Sequence, residues 1–174
     1  MRDIEICILA GGLSARMGRD KARLRLGRRT LLGHVRANAS QSGLPVRVLR
    51  KDLIHRCGPL GGIYSALRTT HHDAVLFLAC DMPFVSPKSL RSLVRQFDGK
   101  RPVFAMADDK PGFPLVLPKI LLPKVEALIS QGKFSLHNLA VTTKAHLIPV
   151  ASQTLFNINT LADLEFALTR YNSQ

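Results

Sequence analysis

A continuous apolar run from Ala74 to Cys80 constrains the fold of this chain more than any other feature. Strands buried on both faces read as uninterrupted apolar runs, whereas half-exposed strands alternate apolar and polar residues. The run therefore predicts a central strand covered by helices on both sides. Ser86 and Pro87 follow as a helix N-cap and first-turn pair, so Asp81 lies in the turn between that strand and a helix.

Apolar strand-like segments alternate with helical patterns along most of the chain, which is typical of an α/β domain with a largely parallel sheet. The length and the 46% hydrophobic content suit one domain over residues 1–174. We predict strands at Ile4–Leu9, Val46–Leu49, Ala74–Cys80, Pro102–Ala107, Phe113–Leu117 and His146–Val150, the fourth and fifth forming an antiparallel hairpin around an Asp108–Gly112 turn. We predict helices over Leu31–Ala39 capped by Thr30, from Gly58–Gly62 through Leu67, from Pro87 through Val94, over Pro123–Ser130, over Ser135–Ala140 and from Leu161.

The net charge of +13 is concentrated near the N-terminus, where residues 1–56 hold 13 Lys and Arg against 4 Asp and Glu. Such a segment suits an anionic ligand such as a triphosphate, and it also attracts nucleic acid without specificity. Specific nucleic-acid binding is not expected, because aromatic residues are sparse and Trp is absent. No apolar run reaches the length of a membrane span, and Asp3 and Glu5 are unlike a signal peptide, so we expect a cytoplasmic protein.

The three cysteines predict no disulfide framework. Cys7 and Cys80 lie in strand-like apolar runs, where a reduced thiol fills space. Cys57 stands near His55, but two soft ligands without a second pair make a weak zinc site, and ordinary packing or solvent exposure is the favoured interpretation.

A glycine-rich, cationic segment follows the first predicted strand: Leu9-Ala10-Gly11-Gly12-Leu13-Ser14-Ala15-Arg16-Met17-Gly18-Arg19-Asp20-Lys21. Its adjacent glycines let the backbone approach a base or a phosphate, and Ser14, Arg16 and Lys21 supply a hydroxyl and two positive charges. The spacing is that of neither a P-loop nor a dinucleotide fold. It closely resembles the L-A-G-G-x-S-x-R-M-G-x-D-K signature of molybdenum cofactor guanylyltransferases. A solvated basic turn is the simpler alternative.

Two further segments resemble elements of the same family. Cys80-Asp81-Met82-Pro83 matches the C-D-x-P element, whose Asp is the magnesium ligand, and a carboxylate at a strand end beside a triphosphate suits Mg²⁺. Gly58-Pro59-Leu60-Gly61-Gly62 matches the G-P-L-x-G element on the guanine side of the pocket, and Asp52 falls roughly where the family has a nucleotide-contacting Asp. An ordinary turn carboxylate for Asp81 and an exposed charge for Asp52 remain the alternatives.

The C-terminal segment Phe156-Asn157-Ile158-Asn159-Thr160 resembles the N-x-N-T element of the family. Asn157 and Asn159 are therefore candidate contacts to the acceptor substrate, although a helix cap by Asn159 or Thr160 explains the same residues.

The chain departs from the family pattern at one place. After the first helix the family has a second strand that carries an Asn in contact with the nucleotide. In this chain only a short segment joins Asn38, near the end of the first predicted helix, to Pro45, so we expect that strand and its Asn to be missing.

The resemblance implies a Rossmann-like three-layer α/β sandwich of the glycosyltransferase-A-like type, mostly parallel with an antiparallel excursion. It implies an enzyme that transfers GMP from Mg-GTP to molybdopterin-type cofactor, with molybdoenzyme apoproteins or chaperones as candidate partners. Alternatives are a cytidylyl or sugar-phosphate nucleotidyltransferase, and a catalytically weak homologue that delivers cofactor to a partner. The resemblance implies that Arg16, Lys21 and Asp81 are the catalytic residues and that Asp81 binds Mg²⁺. It also implies that the residues in contact with the nucleotide are Leu9, Ala10, Gly11, Gly12, Ser14, Lys21, Asp52, Gly58, Pro59, Leu60 and Asp81.

Overall fold

A six-stranded mixed sheet forms the centre of the computed structural model, which describes residues 3–11 and 21–172. The strands of the chain are β1 (Ile4–Leu9), β2 (Arg25–Leu26), β3 (Arg29–Thr30), β4 (Val46–Leu49), β5 (Ala74–Ala79), β6 (Val103–Ala107), β7 (Lys110–Pro118) and β8 (His146–Pro149). The strand order of the sheet is β4-β1-β5-β7-β6-β8, and a separate hairpin pairs β2 with β3. Strand β1 is parallel to β4 and β5, β6 is parallel to β8, and β7 is antiparallel to both neighbours.

Helices cover both faces of this sheet. The helices are α1 (Leu31–Ser40), α2 (Gly58–Thr69), α3 (Pro87–Gln96), α4 (Leu122–Ser130), α5 (Leu136–Thr142) and α6 (Leu161–Asn172). The apolar sides of α1 and α3 bury one face of the sheet, and those of α2, α4 and α5 bury the other. These layers confirm the predicted three-layer α/β sandwich. Within the described residues, no helix combines the length and apolarity needed to cross a membrane.

Strand β5 lies third in the sheet and is buried on both sides, as its sequence predicts. Leu76 and Leu78 point into the α1/α3 core, and Val75 and Phe77 point into the α2/α4/α5 core. Successive side chains of a strand face opposite sides, so a strand between two helical layers needs apolar residues at every position. The run from Ala74 therefore determines both the strand and its central place.

Two helix starts are also as predicted. The Thr30 hydroxyl accepts a hydrogen bond of 3.0 Å from the Gly33 N–H, and the Ser86 hydroxyl accepts one of 3.1 Å from the Ser89 N–H. Each satisfies a first-turn amide that has no partner within its helix.

The structure differs from the sequence predictions at both hairpins. The turn between β6 and β7 is shorter than predicted, because Asp108 and Asp109 alone form it, with φ angles of 49° and 57°. Paired left-handed residues match the twist of the flanking strands, and Asp tolerates that conformation. The β2–β3 hairpin was not predicted at all. Its strands have two residues each, too few to show alternation, and burial of Leu26 against α6 supports it.

Between α1 and α2 the chain is fully described and contains one strand, β4. This is the short strand predicted at Val46–Leu49, and it pairs directly with β1. The additional strand of the family is not found among residues 41–57, in agreement with the sequence prediction.

Candidate active site

A cavity of about 540 Å³ opens where strands β1, β4 and β5 end. In open α/β sheets the carboxyl ends of parallel strands are where ligands bind. The cavity brings together segments that lie far apart in the sequence. Its lining consists of Leu9, Ala10, Gly11, Ala22, Arg50, Lys51, Asp52, His55, Arg56, Cys57, Gly58, Pro59, Gly62, Ala79, Cys80, Asp81 and Phe113.

Glycines let the segment after β4 lie close to the β1 loop and to α2. A Cβ placed on Gly11 would lie 2.9 Å from the carbonyl oxygen of Arg50, and one placed on Gly61 would lie 3.2 Å from that of Ile54. A side chain at Gly11 would force the backbone to shift, and one at Gly61 would require its neighbour to yield by a few tenths of an ångström. Close packing between neighbouring segments thus explains why glycine is present at position 11 in the first glycine-rich element and at position 61 in the second.

The Asp52 carboxylate sits in a niche formed by three glycines. Its oxygens lie 3.2, 3.3 and 3.5 Å from the Cβ positions that Gly11, Gly61 and Gly62 would have. Burial raises the pKa of Asp52, and the nearby His55 partly opposes this by lowering it. Asp52 is half-buried and lines the cavity, so its carboxylate is within reach of a ligand there. The structure therefore brings Asp52 to the predicted nucleotide pocket.

The segment that carries Asp52 is fastened to α2. The backbone N–H of Leu53 donates a 2.7 Å hydrogen bond to the hydroxyl of Ser65, which in turn donates one of 2.7 Å to the Gly61 carbonyl. Ser65 is fully buried. A buried hydroxyl with both hydrogen-bonding roles used holds its two partners in fixed positions.

Asp81 follows β5 on the opposite side of β1 from Asp52, and its Oδ1 atom is buried. Its carbonyl oxygen accepts a 2.9 Å hydrogen bond from the Ile158 N–H. The Asn38 side chain donates to the carbonyls of Pro83 and Val85, at 3.3 and 3.0 Å, which ties the following turn to α1. The Asp81 carboxylate is therefore carried by a turn that two other parts of the chain hold in place.

The donor set around Asp81 fits Mg²⁺. Within the described ranges, no group of three or more His, Cys, Asp or Glu side chains could enclose a metal ion. Magnesium usually keeps several waters and binds through one or two carboxylates together with substrate phosphates. The Asp81 carboxylate in the wall of the 540 Å³ cavity matches this mode.

The start of α2 forms another wall of the cavity. Gly58, with a φ of 52°, and Pro59 line it, and Cys57, the N-cap residue, makes no side-chain capping bond. Helix N-termini favour anions through their exposed amides and the helix dipole. The position of Leu60 differs from the prediction, because its side chain is fully buried in the α2/α4/α5 core and does not line the cavity.

Neither Asn157 nor Asn159 lines the cavity. The N–H groups of Asn159 and Thr160 both donate to Asp163 Oδ2 at 2.8 Å, and the Thr160 hydroxyl accepts from the Asp163 N–H at 3.1 Å. This reciprocal arrangement is a capping box that starts α6. The helix-cap alternative is therefore confirmed for Thr160, and contact of the two asparagines with the acceptor stays a prediction.

Several predicted site residues lie outside the described part of the chain. These are Gly12, Ser14, Arg16 and the side chain of Lys21. Their roles toward the phosphates stay predictions.

Sequence reasoning missed other cavity residues, namely Arg50, Lys51, His55, Arg56 and Phe113. Arg50 and Lys51 follow β4 directly, Arg56 lies a few residues further along, and the charge count of the N-terminal segment was the signal for them. These cations outnumber the carboxylates of Asp52 and Asp81 in the cavity lining, which suits phosphate groups. Cys57 donates to the His55 carbonyl at 3.3 Å, which agrees with ordinary packing.

The sequence model described as "MobA-like NTP transferase domain" matches residues 6–52 and 39–145 of the chain. These matches cover β1, β4, β5 and the cavity between them. The chain belongs to the MobA-like NTP transferase family. It is accordingly a nucleotidyltransferase, which confirms the predicted enzyme class.

Relatives in sequence carry consistent names. A protein from Methanothermobacter thermautotrophicus named "Probable molybdenum cofactor guanylyltransferase" is 35% identical over 155 residues, which are 74% of this chain and 78% of that one. "Molybdenum cofactor guanylyltransferase" from Histophilus somni is 30% identical over 187 residues, covering 93% and 94%. A probable molybdenum cofactor guanylyltransferase from Pelotomaculum thermopropionicum is 38% identical over 109 residues, about half of each chain (53% and 52%).

Solved structures show the same fold. Molybdopterin-guanine dinucleotide biosynthesis protein A from Archaeoglobus fulgidus superimposes with a TM-score of 0.74 at 23% identity, covering 98% of this chain and 100% of that one. A nucleotidyl transferase from Methanothermobacter has a TM-score of 0.78 at 21% identity and 99% coverage of both chains. At these identities the likeness concerns the fold.

Proposed function

We propose that this MobA-like protein transfers GMP from Mg-GTP to the terminal phosphate of molybdopterin-type molybdenum cofactor and releases pyrophosphate. The observation that carries the proposal is the single cavity into which the chain brings Gly11, Asp52, Gly58 and Asp81. The names of the relatives give the acceptor and the nucleotide.

The transfer needs positioning more than acid–base chemistry. A phosphate oxygen of the acceptor attacks the α-phosphorus of GTP, a new P–O bond forms, and the bond to the β-phosphate oxygen breaks. The electron pair leaves with pyrophosphate. Because the acceptor phosphate is already an anion, no base has to remove a proton, and the protein has to align the groups and neutralise growing charge.

Cations of the cavity would stabilise the triphosphate and the leaving pyrophosphate. Arg50, Lys51 and Arg56 line the cavity, and Arg16 and Lys21 belong to the adjoining loop segment. The uncapped first turn of α2 offers a further site for negative charge. Asp81 would hold Mg²⁺, which when bound supplies charge compensation to the phosphate oxygens.

Asp52 would select the base. Guanine presents an N1–H and an N2 amino group side by side, and a carboxylate can accept both hydrogen bonds. Cytosine and adenine present only one amino group next to acceptor atoms, so they cannot make this pair of bonds. Asp52 is half-buried and lines the cavity, so the edge of a flat base bound there could reach its carboxylate.

Pyrophosphate release, measured with each of the four nucleoside triphosphates in the presence and absence of molybdopterin cofactor, tests the proposal. We expect release only with GTP plus cofactor, in the presence of Mg²⁺. Equal release with CTP would replace the proposal with a cytidylyltransferase.

A second candidate function is nucleotide binding with delivery of cofactor and little catalysis. The single strand between α1 and α2 favours it, because the family strand with the nucleotide-reading Asn is missing. Tight GTP binding without pyrophosphate release would support this candidate. In either case we place the protein in the cytoplasm, with molybdoenzyme apoproteins or their chaperones as recipients of the product.

A further inference from the structure

Strand β7 contains an irregularity directly beside the cavity. Phe104 of β6 pairs with Leu115, and the next residue, Ala105, pairs with Gly112. Phe113 and Pro114 thus have no partner on β6, and the ladder with β5 ends at the pair of Phe77 and Leu115. Bulges of this kind often lie next to active sites, where they redirect a side chain.

Phe113 is the residue that the bulge brings to the cavity wall. Phe113 is half-buried and packs against both the α1/α3 core and the α2/α4/α5 core. It lines the cavity with Ala79, Cys80 and Asp81, the residues at the end of β5. Among the cavity residues that the structure describes, it carries the one carbocyclic aromatic ring.

The sheet order separates this ring from the base-selecting carboxylate. Asp52 follows β4, Gly11 follows β1, Asp81 follows β5 and Phe113 lies on β7, and these four strands are neighbours in that order. At roughly 4.8 Å between neighbouring strands, β7 lies about 14 Å across the sheet from β4. A nucleotide whose base lies at Asp52 and whose phosphates lie near Asp81 leaves the space beside Phe113 to the second substrate.

We propose that Phe113 is a stacking platform for the planar pyrimidine ring of the acceptor's pterin-type ring system. This inference rests on the proposed function for the identity of the acceptor. A flat aromatic face attracts heteroaromatic rings through stacking and burial of apolar surface, without requiring hydrogen bonds. An acceptor held by its ring on β7 presents its phosphate toward Asp81, on the side where the α-phosphate of the nucleotide lies.

Substitution of Phe113 by residues with and without a ring tests this role. Phe113→Leu should raise the acceptor concentration at half-maximal velocity by about tenfold at saturating Mg-GTP, the scale of one lost stacking contact. Phe113→Tyr should stay within about twofold of the parent, because it keeps the ring. The dissociation constant of GTP should be unchanged in both. Phe166→Leu, at a residue outside the cavity and 57% exposed, is the matched control and should change neither constant.

A binding measurement separates this inference from the proposed function. Pterin-6-carboxylate, a fluorescent pterin, is titrated into the protein with Mg-GTP present, which requires no turnover. Binding by the parent and Phe113→Tyr, and its loss in Phe113→Leu, supports the platform even if the parent releases no pyrophosphate. Should Phe113→Leu melt early, Phe113→Met provides a second ring-free variant with a flexible side chain.

Three outcomes would overturn the platform. Unchanged acceptor constants and pterin binding in the ring-free variants would make Phe113 a wall residue only, with the transfer reaction intact. A raised GTP dissociation constant in Phe113→Leu would assign the ring to the nucleotide. Failure of the parent protein to bind pterin-6-carboxylate would show that the cavity beside Phe113 does not bind pterins.

Discussion

The backbone N–H of Leu53 and the buried hydroxyl of Ser65 are joined by a 2.7 Å hydrogen bond, which fixes the segment carrying Asp52 against α2. Ser65→Ala leaves the Leu53 N–H and the Gly61 carbonyl without this partner. We expect the free energy of unfolding to fall by about 1–3 kcal/mol. We also expect weaker GTP binding, because Asp52 is no longer held in its niche. Denaturant unfolding and equilibrium binding measure the two effects.

Ser130→Ala is the matched control for this variant. The Ser130 hydroxyl donates to the Ala127 carbonyl within its own helix and is exposed, so its loss should leave stability and GTP binding nearly unchanged. Equal effects of the two substitutions would show that the Leu53–Ser65 bond has no special role.

GTP affinity should depend on pH through Asp52. Burial raises the pKa of Asp52 above its ordinary range, so at acidic pH the folded protein holds a neutral carboxyl that cannot accept two N–H groups. Affinity should therefore rise with pH through this raised pKa and level off above it. The same shift gives a contribution to stability that is fully present below the ordinary pKa of an aspartate and is lost as pH rises through the raised pKa. Equilibrium binding across this pH range tests the expectation.

Two variants check the origin of this pH dependence. Asp52→Asn should bind GTP weakly at every pH and lose the rise. His55→Gln removes the neighbour that lowers the pKa of Asp52, so the rise should move to higher pH. An unaltered profile in Asp52→Asn would assign the titration to another group.

Asp81→Asn should raise the Mg²⁺ concentration that gives half-maximal activity, because it removes one formal charge from the metal site and keeps the shape. The maximal rate should fall by about 10²- to 10³-fold, the usual effect of losing one electrostatic stabiliser. Asp109→Asn, in the β6–β7 turn, is the control and should leave this Mg²⁺ midpoint unchanged. If the midpoint and the rate are unaltered in Asp81→Asn, the metal is held elsewhere.

Arg47 and Glu5 pair across β4 and β1 at 2.9 Å, and Glu5 is 5% exposed. Arg47 also donates to the Thr69 hydroxyl and the Ala66 carbonyl, at 3.0 and 2.8 Å. Arg47→Ala should lower the free energy of unfolding by about 2 kcal/mol, less than for a fully buried pair because the arginine is partly exposed. Preference for GTP over CTP should not change. Calorimetry and nucleotide binding give the two readouts, and lost preference would mean that the pair shapes the site.

Alkylation by iodoacetamide should distinguish the three thiols. Cys57 and Cys80 line the cavity, whereas Cys7 is fully buried and burial raises its pKa to about 12. The thiolate is the reactive form, so Cys7 should stay unmodified in the folded protein. Bound Mg-GTP should slow modification of Cys57 and Cys80, which mass spectrometry of peptides quantifies. Equal rates with and without nucleotide would place the ligand outside this cavity.

Local sequence patterns were sufficient for most of the fold. The continuous run at Ala74 predicted the central strand, and Thr30 and Ser86 predicted two helix starts, because burial on two faces and capping depend on residues only a few positions apart. The short β2–β3 hairpin escaped prediction because pairing, rather than local pattern, defines two-residue strands.

Periodicity and spacing within short segments were enough to predict the layer architecture and the residue types of the nucleotide motifs. The folded chain was needed to show that Asp52 lies among Gly11, Gly61 and Gly62, that Leu60 faces the core, and that Phe113 lies at a bulge beside the end of β5. These relations depend on the order and register of strands. Residues separated by dozens of positions meet only when the sheet has formed, and no local pattern records that meeting.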